Sequence, residues 1–122
     1  MRRTSFAALA GVVGLSLTAP AMAQDAVKGA GVYQDHCSAC HVLNGIGQGP
    51  SLVGVVGRKA ASLPGFNYSD AMKASGLTWT PANLDRFISG PTKLVPGTAM
   101  RAIVADPNDR RDLIAYLASL KP

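Results

Sequence analysis

Glutamate is absent from the chain, and cysteine nearly so: the 122 residues include two cysteines, two histidines and one tryptophan. Each scarcity narrows the chemistry available. Seven aspartates carry all the negative charge against twelve lysines and arginines, and neither sign gathers into a block. No basic stripe with interleaved aromatics is visible, so the electrostatic footprint of a nucleic-acid binder is missing. Long apolar runs are missing too. The longest, Phe6 to Thr18, has 13 residues, short of the roughly 20 that a membrane-spanning helix needs. There is no internal repeat and no low-complexity segment.

That apolar run has the shape of an export signal. Arg2 and Arg3 give a basic start, the uncharged stretch follows, and "APAMAQ" sets Ala21 and Ala23 in the small-x-small pattern of a cleavage site. Residues 1–23 are therefore expected to be a secretory signal peptide that takes the protein to the periplasm, with an uncleaved membrane anchor as the alternative. Removal leaves residues 24–122, one small domain with one modest core. Two of the twelve basic residues go with the signal, leaving ten against seven acids and a net charge of +3.

The remaining chain reads as short helices joined by loops. Asp25 can cap a helix through "AVKGAGVYQDHC", with Ala26, Ala30, Tyr33 and Cys37 on one face. The following "HVLNGIGQGPSLVGVVGRKAASLPGFNY" carries Gly45, Gly47, Gly49, Gly54 and Gly57 with Pro50 and Pro64, which breaks any strand alternation and predicts loop. A short helix is expected after Ser69 in "DAMKAS". Another should start at Thr80, with Pro81 in its first turn and Leu84, Phe87 and Ile88 on its apolar side. "SGPTKLVPGTAM" reads as a second loop, Pro91 and Pro96 excluding helix. The last helix gives the clearest signal. Asp106 precedes Pro107, Asp109 and Asp112 suit the positive end of the helix dipole, and Leu113, Ile114, Leu117 and Leu120 form one stripe with Tyr116 at its border. Short helices and long glycine loops make a poor all-protein core, and such loops in so small a domain usually wrap something.

"HCSACH", residues 36–41, holds both cysteines and both histidines. A disulfide between Cys37 and Cys40 would close a tiny loop and stabilise little. A thioredoxin-like redox pair needs a strand–helix unit, whereas the flanks here are helix and then glycine loop. Zinc needs four ligands, and His36, Cys37, Cys40 and His41 are too crowded to form one tetrahedral set. The reading that remains is C-x-x-C-H, the covalent haem attachment pattern. Two thiols at a helix end can bond the two vinyl groups on one edge of a porphyrin, and the next residue then places an imidazole under the iron. Export agrees, because attachment of this kind takes place outside the cytoplasm. A thioether is a soft second ligand that favours ferrous iron. Met1 is the start and Met22 falls in the signal, leaving Met72 on a predicted helix and Met100 at the end of "PGTAM". A Pro-Gly loop 59 residues beyond His41 can aim Met100 at the metal, so Met100 is the better placed. Core filler is the plain alternative for either methionine.

On these residues the chain resembles a class I cytochrome c of the mitochondrial type and its bacterial relatives. The likeness runs through "CSACH", "GPSLVGVVGR", "PGFNYSDAMKASGLTW", "PTKLVPGTAM" and "DLIAYL", over essentially all of residues 24–122. It implies an all-α fold in which about four short helices and glycine-rich loops wrap one covalently bound haem c. By the same resemblance Cys37 and Cys40 hold the haem, His41 and Met100 are the axial ligands, and the Pro50 carbonyl fixes the His41 ring. Arg58, Tyr68, Trp79 and Thr98 match residues that hydrogen-bond the haem propionates or their surroundings, letting buried carboxylates stay ionised. Gly29 and Tyr33, with Leu113 and Tyr116, match the helix crossing that closes the fold.

Three departures from the family stand out. Phe87 replaces a tyrosine whose hydroxyl bonds the methionine sulfur. Met72 replaces an asparagine in a buried network beside the haem. Positions that carry docking lysines around the haem edge hold Gly31, His36, Thr92 and Ala99, although Lys93 remains and Arg101 lies near. Docking there is expected to depend weakly on salt, with His36 either adding some pH dependence or standing as a plain surface residue. The implied function is a one-electron carrier, not an enzyme, between redox protein partners such as a dehydrogenase, an oxidase or a membrane complex. A haem subunit held stably on a periplasmic dehydrogenase is the alternative, which an uncharged haem face would suit. A haem enzyme or gas sensor would require Met100 to be labile. Neither nucleic-acid binding nor stable membrane insertion after signal removal is expected.

Overall fold

The computed structural model describes residues 7–17 and 24–122. The basic start at Arg2 and Arg3 and the expected cleavage pattern at Ala21 and Ala23 lie outside the described residues. Residues 7–17 are exposed and carry no regular secondary structure. No helix among the described residues is long and apolar enough to cross a membrane.

Five helices follow: α1 (Ala26–His36), α2 (Asp70–Ala74), α3 (Pro81–Ser89), α4 (Pro91–Leu94) and α5 (Pro107–Ser119). Four of them start where a side chain satisfies the first free N–H groups. Asp25 accepts from the N–H of Val27 and of Lys28, both at 3.0 Å. Ser69 accepts from Met72 at 3.1 Å and Thr80 from Asn83 at 3.2 Å. Asp106 takes Asn108 at 2.7 Å and Asp109 at 3.2 Å. The single turn of α4 corrects the expectation of loop at residues 89–100. Pro91 sits at the first helical position, where its missing N–H costs nothing and its fixed φ already suits a helix. Val95 N–H then closes the turn on the Pro91 carbonyl at 2.9 Å, and the helix stops before Pro96.

The main packing contact is α1 against α5. A Cβ at Gly29 would run into the backbone carbonyl of Asp112 and the Cβ of Tyr116, so only glycine lets the two helices approach this closely. The Tyr33 and Tyr116 rings meet at a tilt of 49° with centroids 5.5 Å apart, and Leu113 is fully buried. Asp112, expected in the opening turns of the last helix, also takes part in this contact. It is only 5 % exposed, and its Oδ1 accepts from the N–H of Asp25 at 3.0 Å and from Nε and Nη2 of Arg111 at 3.1 Å each. The Asp25 N–H, with Arg111 and Lys28 adding to it against the effect of burial, holds this carboxyl below the usual carboxylate range.

Leu84, Phe87 and Ile88 of α3 are buried as their spacing predicts, and the Asp85–Arg110 ion pair at 2.7 Å ties α3 to α5. The long loop before α2 is anchored by backbone bonds rather than by a sheet. Gly57 N–H donates to Trp79 O, Trp79 N–H to Arg58 O and Gly54 N–H to Leu120 O, all at 2.8 Å. Lys59 and Thr78 form an isolated bridge, and no strand occurs among the described residues. The fold is therefore all-α, with the loops closing over one side of α3 and α5.

Candidate functional site

Cys37 ends α1, its N–H still bonded to the Tyr33 carbonyl at 2.8 Å. The chain then turns tightly, with the N–H groups of Cys40 and His41 both donating to the Cys37 carbonyl at 3.2 and 2.9 Å. This one turn delivers Cys37, Cys40 and His41 to the wall of a cavity of about 380 Å³. Pro50, Arg58, Tyr68, Trp79, Thr98 and Met100 line the same cavity, so every residue expected at the site is brought together there. Leu52 and Val55 of the loop, Leu84 and Ile88 of α3, and Leu113 and Leu117 of α5 make the rest of its wall largely apolar.

His41 is held on both sides. Its Nδ1 lies 2.8 Å from the Pro50 carbonyl oxygen. A carbonyl only accepts, so Nδ1 carries the proton and Nε2 keeps a lone pair suited to a metal. A Cβ at Gly49 would strike the imidazole ring, so the chain passes flat against it. The Tyr33 hydroxyl donates to the His41 carbonyl, and burial, then Tyr116 and Cys37, raise its pKa.

Cys37 is unlike a redox or nucleophilic thiol, which needs a lowered pKa. Burial, with Cys40 beside it, pushes Cys37 up to about 11. Cys40 is exposed and its Sγ reaches Oε1 of Gln48 at 3.4 Å. Among the described residues, no three His, Cys, Asp or Glu side chains converge to hold a metal ion.

The same cavity is lined by Met100, half-buried on its loop, and by two further residues singled out in the sequence, Met72 on α2 and Phe87 on α3. Polar groups on the remaining wall are few, and Arg58 and Tyr68 among them already bond to neighbouring backbone. Among the described residues no hydrogen bond from the Trp79 indole N–H or the Thr98 hydroxyl is formed, and since no buried side-chain N or O lacks a partner, both groups open onto the cavity they line. The Tyr68 oxygen accepts from Leu63 N–H at 3.3 Å, leaving its own hydrogen to donate. Apolar walls, an imidazole Nε2, a thioether, two neighbouring thiols and three free donors fit a flat apolar macrocycle with a metal at its centre and acidic substituents at one edge.

The sequence pattern of the family described as cytochrome c matches residues 26–121. This chain belongs to the cytochrome c family. Its sequence is similar to cytochrome c2 of Rhodomicrobium vannielii, 50 % identical over 101 residues that cover 80 % of each chain. It is also similar to cytochrome c2 of Agrobacterium tumefaciens, 43 % identical over 108 residues covering 80 % of this chain and 96 % of that one. Its structure is similar to that of cytochrome cH from Methylobacterium extorquens, with a TM-score of 0.75 and 44 % identity over 78 % of this chain and 98 % of the other. The protein is a class I mono-haem cytochrome, an electron carrier with one covalently attached haem c.

Two features of the cytochrome's site were not legible in its motifs. Arg58 is largely engaged with its own loop: Nη1 donates to Val53 O at 3.2 Å and Nη2 to Ser51 O at 2.9 Å. Burial lowers its pKa, Tyr68 acting the other way. Through those bonds it braces the chain that follows Pro50. Tyr33 was expected only in the helix crossing, yet its hydroxyl also reaches the His41 carbonyl. Its place on the buried face of α1 signals packing, and nothing in that periodicity marks the second role.

Proposed function

We propose that this cytochrome is exported to the periplasm and carries single electrons between protein partners there, its iron held by His41 and Met100. Residues 1–23 act as the signal peptide and residues 24–122 as the working domain. The observation that carries this reading is the His41 clamp: the 2.8 Å contact with Pro50 presents Nε2 to the cavity that Met100 lines on its own loop. Cys37 and Cys40 attach the group covalently. Trp79, Tyr68 and Thr98 donate to its carboxylates, and Arg58 supplies a nearby positive charge. When bound, haem c supplies a one-electron iron couple. Two protein ligands leave no open position for a substrate, which makes a carrier of the protein and not an enzyme.

One purification tests this. Native protein from the periplasmic fraction should begin at Gln24, carry the mass of one haem, titrate with one electron and elute as a monomer. A chain that retains residues 1–23, or that lacks the haem mass, would contradict the reading. A second reading, a haem subunit bound to a periplasmic dehydrogenase, is favoured by the mouth of the cavity. His36, Gln48, Ala99, Arg101 and Ala102 are exposed there, and Arg101 is the one fixed charge among them. Co-elution of the native protein with a larger dehydrogenase would select that reading over the free carrier.

A further inference from the structure

Tyr33 holds the attachment turn at two points. Its backbone carbonyl accepts from the N–H groups of Cys37 and Ser38 at 2.8 and 2.9 Å. Its hydroxyl donates to the carbonyl of His41, at the other end of the same turn. One residue of α1 thus grips the C-x-x-C-H segment where it begins and where it ends. Among the described residues no other group donates to the His41 carbonyl.

The grip is firm for reasons that lie outside the turn. Tyr33 is only 2 % exposed, and its ring lies against that of Tyr116 on α5. One helical turn earlier, Gly29 lets the backbone of α1 close on the Asp112 carbonyl. A ring fixed in this way has already lost its rotamer freedom, so the hydroxyl bond needs little further ordering. Packing alone does not require the oxygen, since phenylalanine would fill the same space. What the hydroxyl adds is a hydrogen with partial positive charge on the backbone of the residue whose ring Pro50 fixes at 2.8 Å.

We propose that Tyr33 is a positioning residue for the axial histidine, its hydroxyl acting through the His41 carbonyl to fix where the imidazole stands and to raise the reduction potential. Given His41 as a ligand of the iron, the reading on which this rests, two holds act on one residue, Pro50 on its ring and Tyr33 on its backbone. The sign follows from electrostatics. Ferric iron carries one more positive charge than ferrous iron, and the hydroxyl hydrogen offsets the negative end of the nearby carbonyl. Without that hydrogen the carbonyl dipole is uncompensated and the ferric form gains.

The test compares the holoprotein with its Tyr33→Phe and Tyr116→Phe variants. The first keeps the ring and removes the bond, and the second removes a hydroxyl from the same ring pair but leaves the bond in place. Tyr33→Phe is expected to lower the reduction potential and to move the haem methyl resonances of the oxidised protein, which report the orientation of the axial imidazole. Tyr116→Phe should change neither. In the reduced wild-type protein the Tyr33 hydroxyl proton should exchange slowly with solvent, a readout that needs no variant. Hyperfine-shifted ring protons of His41 in the oxidised wild-type protein keep the two claims apart: their absence overturns the ligand reading and, with it, the role of Tyr33. Where they are present, a Tyr33→Phe variant that is less stable but has unmoved potential and methyl resonances makes Tyr33 a packing residue and overturns the positioning role alone. A rise in potential, or a Tyr33 hydroxyl proton in fast exchange, overturns it as well.

Discussion

At the scale of single residues, the His41 ring shows how backbone geometry sets side-chain chemistry. Pro50 fixes its tautomer through a carbonyl, and Gly49 allows the chain to lie against its face. Gly49→Ala should therefore push the ring or the loop aside and destabilise the holoprotein by about 1–3 kcal/mol, read as a lower denaturant midpoint with a perturbed haem spectrum. The two methionines give a sharper test. Met100→Ala should abolish the near-infrared iron–sulfur band and let carbon monoxide bind the reduced protein, whereas Met72→Leu should leave the band in place. The reverse pattern would make Met72 the ligand. At this scale the C-x-x-C-H spacing was legible because three roles sit within five consecutive residues. The choice between the methionines was less so, since both side chains reach the same cavity wall. The Tyr33 contact with His41 was invisible, because it depends on where the chain returns after the turn at Cys37.

At the scale of elements, the α1–α5 crossing rests on a missing side chain and a buried charge. Gly29→Ala would place a methyl group against the Asp112 carbonyl, and overpacking of this kind should cost about 1–3 kcal/mol in chemical denaturation. The Asp112 carboxyl is depressed in the folded state, chiefly by the Asp25 N–H. Its contribution to stability is then fully present above the ordinary carboxylate range and is lost as pH falls through the depressed folded-state value. Asp112→Asn should lower stability near neutral pH and flatten the acid limb of the stability–pH curve. An acid limb of unchanged slope would show that Asp112 does not carry it. The helix starts were readable because Asp25, Ser69, Thr80 and Asp106 act on N–H groups two or three residues away. The Asp112 bond joins residues 87 positions apart, which no local pattern encodes. The α4 turn was hidden by Pro91, a residue that stops a helix from the inside and starts one at its first position.

At the scale of the whole molecule, the long loops have a purpose that the helices alone do not supply. Leu52 and Val55 from the loops meet Leu84, Leu113 and Leu117 from α3 and α5 around the cavity, with apolar surface on both sides. That surface stays wet unless the haem covers it, which is why glycine-rich sequence of this length already pointed to something being wrapped. Replacing both Cys37 and Cys40 by Ser should therefore yield a chain far less stable than the holoprotein, measured by circular dichroism on heating. Charge acts at this scale too. The exposed mouth of the cavity carries Arg101 as its one fixed charge, so electron exchange with the native partner should change little with ionic strength. A steep fall in rate on adding salt would instead place fixed charges at the docking contact.

The most direct measurement is the optical spectrum of the native protein, oxidised and reduced, with carbon monoxide added to the reduced form. A closed His41–Met100 pair predicts a c-type spectrum, a weak near-infrared iron–sulfur band in the oxidised protein and no response to carbon monoxide. A carbon monoxide adduct at full occupancy would contradict it, showing that the sixth position opens and that the protein does more than carry electrons.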